Sequence, residues 1–140
     1  MSFSTDDDVL LRAPVAKTAV DALNAWRTKE SLSAVALSDY RDAAYAEILR
    51  ALRGRTPSIG AESVTRPDDL VPAEVALTAC LACKAAAARF PASAKTPNAT
   101  ADTFAVAEEF WRGEYAREIA AASPVDALRG VGTSFSWQRC

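Results

Sequence analysis

Alanine most constrains the fold of this chain, because it makes up about a fifth of the sequence and has the highest helix propensity of all residues. Runs of β-branched and aromatic residues with period two, which would indicate strands, are missing from the body of the chain. The chain has 140 residues, half of them hydrophobic, which suits one domain. We therefore predict an all-α fold: a small helical bundle of about four main helices with a long loop and an extended C-terminal arm.

Capping residues and prolines set the expected helix boundaries. The expected helices span residues 6–12, 15–27, 39–53, 72–90 and 100–122, and the residues that begin or end them are Ser4 or Thr5, Pro14, Ser38, Gly54, Pro72 and Thr100. The last residues alternate between aromatic and polar types, which is typical of a strand, although the chain offers no strand to pair with them. We expect a helical domain over residues 1–124 and an arm over residues 125–140.

The last predicted helix, residues 100–122, has two apolar stripes. One stripe consists of Phe104, Trp111, Tyr115 and Ile119, and the second, about 120° away around the helix, of Val106, Phe110 and Ala121. One stripe can pack in the core while the other contacts a neighbour. The predicted helix 72–90 is apolar on almost every side and also needs cover. Both helices therefore indicate neighbouring subunits.

The connection between the third and fourth helices, residues 55–71, has no hydrophobic periodicity. Irregular connections of this length are uncommon in small domains unless they are functional or mobile. We therefore predict that this loop contacts a partner. The residues predicted to make such contacts are Pro57, Ile59 and Pro67 in the loop and Val106 and Phe110 on the second stripe.

Composition narrows the functional classes. The sequence has no histidine, which excludes Ser-His-Asp, Cys-His and histidine-metal sites. Its net charge of −2 provides no basic field for a phosphate backbone, so we expect no specific nucleic-acid binding. The longest uncharged apolar run, Val75 to Cys83, is about half of the roughly 20 residues that a membrane span needs. The acidic N-terminus and three cysteines predict a soluble intracellular protein with reduced thiols and no membrane partner.

Cys80-x-x-Cys83 is the only spacing typical of a redox or metal site. No second pair completes four ligands, and both cysteines lie within a predicted helix rather than at its N-terminus, where the helix dipole would lower the thiol pKa. We interpret them as buried packing residues. Acidic residues that alternate with arginines are typical of a solvated helix face, and here these are Glu108, Glu109, Glu114 and Glu118. We predict no catalytic residue, no metal site and no cofactor.

The C-terminal arm carries two large aromatic residues in a polar setting. Phe135 and Trp137, with Arg139 beside them, belong to the residue types that are enriched at interface hot spots. Gly130 and Gly132 precede them and predict a hinge, since no lysine follows to complete a phosphate loop. We favour an anchor for another protein chain over docking onto the chain's own core.

The order of these segments resembles that of a known family. A short capped helix contains Asp-Asp-Val-Leu-Leu-Arg, an amphipathic helix follows, and a proline-containing loop leads into Leu70-Val71-Pro72-Ala73-Glu74-Val75-Ala76-Leu77. An alanine-rich helix, a long helix rich in Glu, Arg and aromatic residues, and the segment Gly-Val-Gly-Thr-Ser-Phe-Ser-Trp complete the chain. The sequence resembles the small helical head–tail connector proteins, also called adaptor or head-completion proteins, of tailed phages and gene transfer particles.

The resemblance implies a structural virion protein without catalysis. Members of that family form a ring, typically a dodecamer, between the portal protein and the tail, and DNA passes through the lumen without specific binding. The resemblance further implies that the arm, with Gly130, Gly132, Phe135, Trp137 and Arg139, extends onto the portal. The loop 55–71 would face the next subunit or a tail-side connector or stopper protein. The implied location is the neck of a virion or virus-like particle that assembles in the bacterial cytoplasm.

Two other interpretations stay open. The first is a small intracellular helical regulatory or adaptor module, monomeric or dimeric, that buries its aromatic C-terminal tail in one partner protein. The second is an enzyme, and it depends on Cys80 and Cys83 alone. Assembly state discriminates between the connector and the module, and replacement of both cysteines tests the enzyme.

Overall fold

The structure, a computed structural model, describes residues 2–89 and 99–125. Within these ranges the chain forms helices and no strand, which confirms the predicted all-α class. The helices are α1 (Asp6–Arg12), α2 (Val15–Lys29), α3 (Leu37–Arg53), α4 (Val71–Arg89) and α5 (Ala99–Ala121). Two short 3₁₀ turns, Ala61–Ser63 and Pro67–Leu70, lie between α3 and α4.

Helix α4 is the centre of the fold. It packs against α1, α2, α3 and α5, and most of its residues from Ala73 to Cys83 are buried. The stretch Pro67–Arg89 is long and apolar enough to cross a membrane, but 67% of its apolar window is buried inside the fold. The cover that this helix needs therefore comes from its own chain, so its apolar character is no argument for neighbouring subunits.

The buried core residues form two clusters, which pack against different sides of α4. The first joins α1, α2 and α4 to the beginning of α5, where Phe104 is almost completely buried. The second joins α3, α4 and the loop to the end of α5, and includes Ile48, Leu52 and Leu70. Trp111 borders both clusters. The stripe predicted to face the core is thus the stripe that does so.

A buried carboxylate holds the N-terminal segment. The Glu74 side chain, in the first turn of α4, accepts hydrogen bonds from the backbone N–H groups of Phe3 (2.9 Å) and Ser4 (2.8 Å) and from the Ser4 hydroxyl. Its exposed fraction is zero, so water supplies none of these bonds. Pairing of this kind is what a buried charge requires. These hydrogen bonds attach the segment that precedes α1 to helix α4.

Two of the predicted capping residues, Ser38 and Thr100, have other roles in the structure, whereas Thr5 and Gly54 lie at the predicted helix ends. Thr5 caps α1 as predicted, in a reciprocal pair of hydrogen bonds with Asp8. Ser38 does not cap α3, because the helix already begins at Leu37; instead the Asp39 carboxylate accepts from the backbone N–H of Ala36 at 2.9 Å. Gly54 ends α3 with a right-handed φ of −78°, not a left-handed one. Thr100 lies inside α5, which begins at Ala99.

The connection from Arg55 to Leu70 is more ordered than its sequence indicates. Arg55 donates to the backbone carbonyl oxygens of Ile119 and Ala122, which lie at the C-terminal end of α5. The backbone N–H groups of Thr65 and Arg66 donate to the carbonyl oxygen of Pro124 at 2.9 and 2.8 Å. The loop is therefore attached along the end of α5, and the missing periodicity reflects its two 3₁₀ turns.

Candidate partner-binding surface

An apolar groove lies between the α1–α2 junction and the first half of α5. Its volume is about 640 Å³, and its lining is almost entirely apolar. Among the described residues, its lining consists of Ala13, Pro14, Val15, Val106, Ala107, Phe110 and Trp111. The groove thus lies between the second stripe of α5 and residues near the N-terminus of the chain.

Two of the three most exposed large apolar residues of the described chain line this groove, and the third, Leu11, comes two residues before Ala13 in the sequence. Leu11 is 84% exposed, Val106 68% and Phe110 57%. Trp111 packs edge-on against Phe110 with ring centroids 5.1 Å apart, which fixes the groove wall. Exposed apolar side chains that are grouped in this way mark an interaction surface, whereas isolated ones do not.

Local sequence explains why these side chains face outward. Residues Val106 and Phe110 are four positions apart and lie on one face of α5, while Phe104 and Trp111 take the face that meets α4. Pro14 interrupts the chain between α1 and α2, and Ala13 beside it is fully buried. The small size of Ala13 and Ala107 lets the two elements approach while leaving a depression between them.

Two smaller depressions lie nearer the C-terminal end of α5 and have acidic residues in their lining. The lining of the first includes Arg12, Pro72, Trp111, Glu114 and Glu118. The second is bordered by Asp68, Asp69, Pro72, Glu118, Ala121 and Ala122. The same α5 surface is therefore apolar at one end and negatively charged at the other.

The structure brings together only part of the predicted contact set. Val106 and Phe110 lie side by side in the groove. Pro57 and Pro67 are exposed in the connection between α3 and α4, which contacts the opposite end of α5. Ile59 is 6% exposed and belongs to the second core cluster, so its side chain is not part of the surface. The burial of Ile59 corrects its place among the predicted contact residues.

The predicted arm residues lie outside the described part of the chain. These are Gly130, Gly132, Phe135, Trp137 and Arg139, all beyond Val125. Their contacts with a portal stay a prediction.

Several groove residues were not predicted from the sequence. Pro14 and Val15 come from the α1–α2 junction, and they meet α5 only in the folded chain. The exposed Leu11, two residues before Ala13, was not predicted either. The signal for Leu11 was available, since a short helix that buries Val9 cannot also bury both leucines of the Val-Leu-Leu run. The acidic depression near the end of α5 could not be predicted for the same reason, because Asp68 and Glu118 are 50 positions apart in the sequence.

Cys80 and Cys83 have the environment of packing residues. Cys80 is 5% exposed and Cys83 is fully buried, and neither forms a disulfide. Burial raises the pKa of Cys80, and burial raises the pKa of Cys83 to about 12, with smaller contributions from neighbouring negative groups. Reactive cysteines have lowered pKa values and access to solvent. These thiols therefore show the opposite of what redox chemistry needs.

Two carboxylates of α5 are ion-paired with arginines of the same helix, and both are more buried than the solvated face predicted for them, with side-chain exposures of 16% for Glu108 and 22% for Glu114. Glu108 accepts from Arg112, and Glu114 accepts from Arg117, at helical spacings of four and three residues. Both arginines are exposed, and pairs of this kind contribute little to stability. Within residues 2–89 and 99–125, no three histidine, cysteine, aspartate or glutamate side chains are grouped to hold a metal ion.

Comparison of the chain with protein-family models, curated proteins and solved structures finds no match.

Proposed function

We propose that this chain is a structural head–tail connector of a tailed phage or gene transfer particle, which forms a ring between the portal protein and the tail and has no catalytic activity. The observation that carries the proposal is the apolar groove on α5, where Val106 and Phe110 are exposed while Phe104 and Trp111 of the same helix pack in the core. The order of segments described above supplies the class of assembly.

The argument for an assembly role starts from the cost of exposed apolar surface. Each Å² of such surface removed from water contributes about 25 cal/mol. Leu11, Val106 and Phe110 therefore leave a sizeable stabilisation unused in the isolated domain. A neighbouring subunit that covers them would gain it. Fixed contacts of this sort suit a structural ring.

The charge distribution is compatible with a DNA channel. The chain has a net charge of −2, and a depression near the C-terminal end of α5 is bordered by the acidic side chains Asp68, Asp69 and Glu118. Proteins that grip nucleic acid carry clustered positive charge. A mildly acidic ring would let DNA pass without holding it.

The concave shape of the groove favours a second candidate, a helical adaptor module that binds one partner. Grooves lined by Phe110, Trp111 and small residues are typical receptors for an amphipathic helix. Such a module would act as a monomer or dimer and would be indifferent to portal rings. The assembly state therefore separates the two candidates.

The test combines native mass spectrometry with negative-stain imaging of the purified chain, alone and mixed with portal rings. We expect a monomer alone that adds to the portal as a closed ring. A second sample lacks residues 130–140, and we expect it to fold but to lose portal attachment. A stable monomer or dimer that ignores every portal tested would contradict the connector and favour the adaptor module.

A further inference from the structure

We propose that a small pocket between the C-terminal ends of α2 and α4 binds a carboxylate carried on a short apolar stem, with Arg27 and Arg89 as the groups that hold it. The side chain of a glutamate and a short-chain carboxylic acid share this chemistry. The pocket has no lining residue in common with the α5 groove. The inference therefore concerns a different surface and does not depend on the connector function.

The size of the pocket limits what it can bind. Its volume is about 270 Å³, and its walls come from α2, the α2–α3 connection, the beginning of α3 and the end of α4. Pockets for drug-sized ligands and cofactors usually begin at about 300 Å³. The pocket therefore suits a group of a few heavy atoms rather than a nucleotide or another large cofactor.

The charges around the pocket are positive. Arg27 and Arg89 both line it, and no acidic residue is among the described residues of its lining. Neither arginine forms an ion pair within residues 2–89 and 99–125. Elsewhere in the described chain, the arginines that pair with carboxylates are Arg41, Arg50, Arg66, Arg112 and Arg117. Two guanidinium groups that lack such a partner thus border one small pocket.

Both guanidinium groups are held in place without using all of their donors. The Nε–H of Arg27 donates to the carbonyl oxygen of Ser33, which leaves its two terminal amino groups. The guanidinium carbon of Arg89 lies 3.7 Å from the centroid of the Trp26 ring. Stacking of this kind occupies the face of a guanidinium and leaves the N–H groups at its edge for hydrogen bonds. A carboxylate is a suitable acceptor for such groups.

Capping of α2 does not account for Arg27. Basic side chains near the end of a helix often donate to its last carbonyl oxygens. Here the carbonyl oxygens of Trp26, Arg27 and Thr28 already accept from the backbone N–H groups of residues 30–32. The terminal amino groups of Arg27 are therefore not needed at the end of the helix.

The rest of the lining favours a carboxylate on an apolar stem over a phosphate ion. Leu23, Val35 and Ala85 form an apolar wall. Two hydrogen bonds of 2.8 Å between the Asn24 side chain and the backbone of Val35 fix part of that wall. Tyr40 also lines the pocket, and its hydroxyl has no hydrogen-bond partner among the described residues. An apolar stem would cover the wall, whereas a phosphate ion would bring polar oxygens against it.

The test follows the ¹H–¹⁵N spectrum of the full chain during titration with hexanoate at neutral pH. We expect saturable shifts of the Trp26 indole N–H and of the backbone amides of Val35 and Ala85, which line the pocket. The amide signals of Val106 and Phe110, in the α5 groove, should not move. Hexanamide has the same shape without the charge and is expected to cause much smaller shifts.

Variants of the two arginines make the result specific. Arg27→Gln and Arg89→Gln should each weaken hexanoate binding at least about tenfold, because each removes charge-assisted hydrogen bonds. Arg53→Gln is the matched control, since Arg53 is exposed, lies outside the pocket and gives the same change in net charge. Equal affinity of Arg89→Gln and Arg53→Gln would overturn the proposal. Arg89→Gln leaves the bond between Arg27 and Ser33 intact, so it tests binding even where Arg27→Gln disturbs the α2–α3 connection.

Two further titrations identify the source of the carboxylate and the class of anion. A capped Ala-Glu-Ala peptide that binds more tightly than capped Ala-Gln-Ala would support an acidic side chain of a partner protein as the ligand. Binding of hexanoate without binding of the peptide would support a free small acid. Tighter binding of inorganic phosphate than of hexanoate would overturn the proposal, and so would pocket signals that neither hexanoate nor the Glu peptide shifts. The portal-binding experiment is independent of all these outcomes.

Discussion

The buried carboxylate of Glu74 accepts a 2.8 Å hydrogen bond from the backbone N–H of Ser4, seventy residues earlier in the chain. The same carboxylate also accepts from the Ser4 hydroxyl and from the backbone N–H of Phe3. The ring of Phe3 in turn packs against that of Tyr45 of α3 in a tilted arrangement, with centroids 4.9 Å apart. One side chain of the core helix thus positions the N-terminal segment, which leads into α1 and the groove.

Replacement of Glu74 is expected to destabilise the fold strongly. In Glu74→Ala three donors lose their partner in a site that water does not reach, and we expect a loss of about 3 kcal/mol in the free energy of unfolding. Urea unfolding measures this loss. Glu109→Gln, at an exposed position of α5, is the control and should change stability by less than about 0.5 kcal/mol. Equal effects of the two variants would contradict the assigned role.

Arg55 is expected to hold the C-terminal end of α5. Its guanidinium donates to the carbonyl oxygens of Ile119 and Ala122, which have no helical partners at this end. Arg55→Ala should cost about 1 to 2 kcal/mol and speed amide exchange at Thr65 and Arg66, whose N–H groups bind Pro124. Arg53→Ala, on the exposed surface, is the matched control. Unaltered exchange in Arg55→Ala would refute the contact.

The contrast between buried and exposed apolar side chains predicts two different responses to truncation. Ile48 is fully buried in the second core cluster, so Ile48→Ala should cost about 2 to 4 kcal/mol through lost burial and the cavity left behind. Leu11 is 84% exposed, so Leu11→Ala should change the free energy of unfolding by less than about 0.5 kcal/mol. Thermal or urea unfolding of both variants provides the comparison. A large loss for Leu11→Ala would place that side chain in the core.

The raised pKa of Cys83 predicts a loss of stability at alkaline pH. Burial raises this pKa to about 12, whereas an unfolded thiol titrates near about 8.5. Above that lower value the unfolded chain releases a proton that the folded chain keeps, so stability falls as pH rises towards the folded pKa. The free energy of unfolding should therefore fall more between about pH 8 and pH 10.5 in the wild type than in Cys83→Ala.

The control for this experiment compares the same two proteins at about pH 7. At that pH the Cys83 thiol of the wild type is protonated in both the folded and the unfolded chain, so only the packing difference between the proteins remains. Tyr40 and Tyr115, whose pKa values burial also raises, contribute equally to both proteins. Identical pH dependence in the two proteins would show that Cys83 is not buried as a neutral thiol.

Local sequence patterns predicted the helices well, because alanine content, prolines and capping groups act within a few residues. α1 spans the predicted residues, and the other helices begin or end within three residues of the predicted positions. The errors fall on caps: Ser38 and Thr100 have the right side chains, but the helices begin one residue before them. Serine and threonine are both suitable N-caps, but tertiary packing decides at which residue a helix begins.

Neither the complete groove nor the burial of the Glu74 carboxylate could be predicted from local sequence, because both depend on contacts between distant segments. Val106 and Phe110 were identified as an outward stripe from helical spacing alone, since periodicity reports which residues share a face. The partner elements around them come from the α1–α2 junction, and no local pattern reports such a meeting. Glu74 lay in a helix predicted to be apolar, and its burial depends on Ser4 reaching it across the fold.

The central claim is that the α5 surface is an assembly interface. The number of chains bound per portal ring tests this claim most directly. Native mass spectrometry would count bound copies for the wild type, for Val106→Glu with Phe110→Glu, and for Leu32→Glu. All three substituted positions are exposed, so the variants are expected to fold. We predict a full ring for the wild type and Leu32→Glu and few or no bound copies for the groove variant. A full ring formed by the groove variant would contradict the claim.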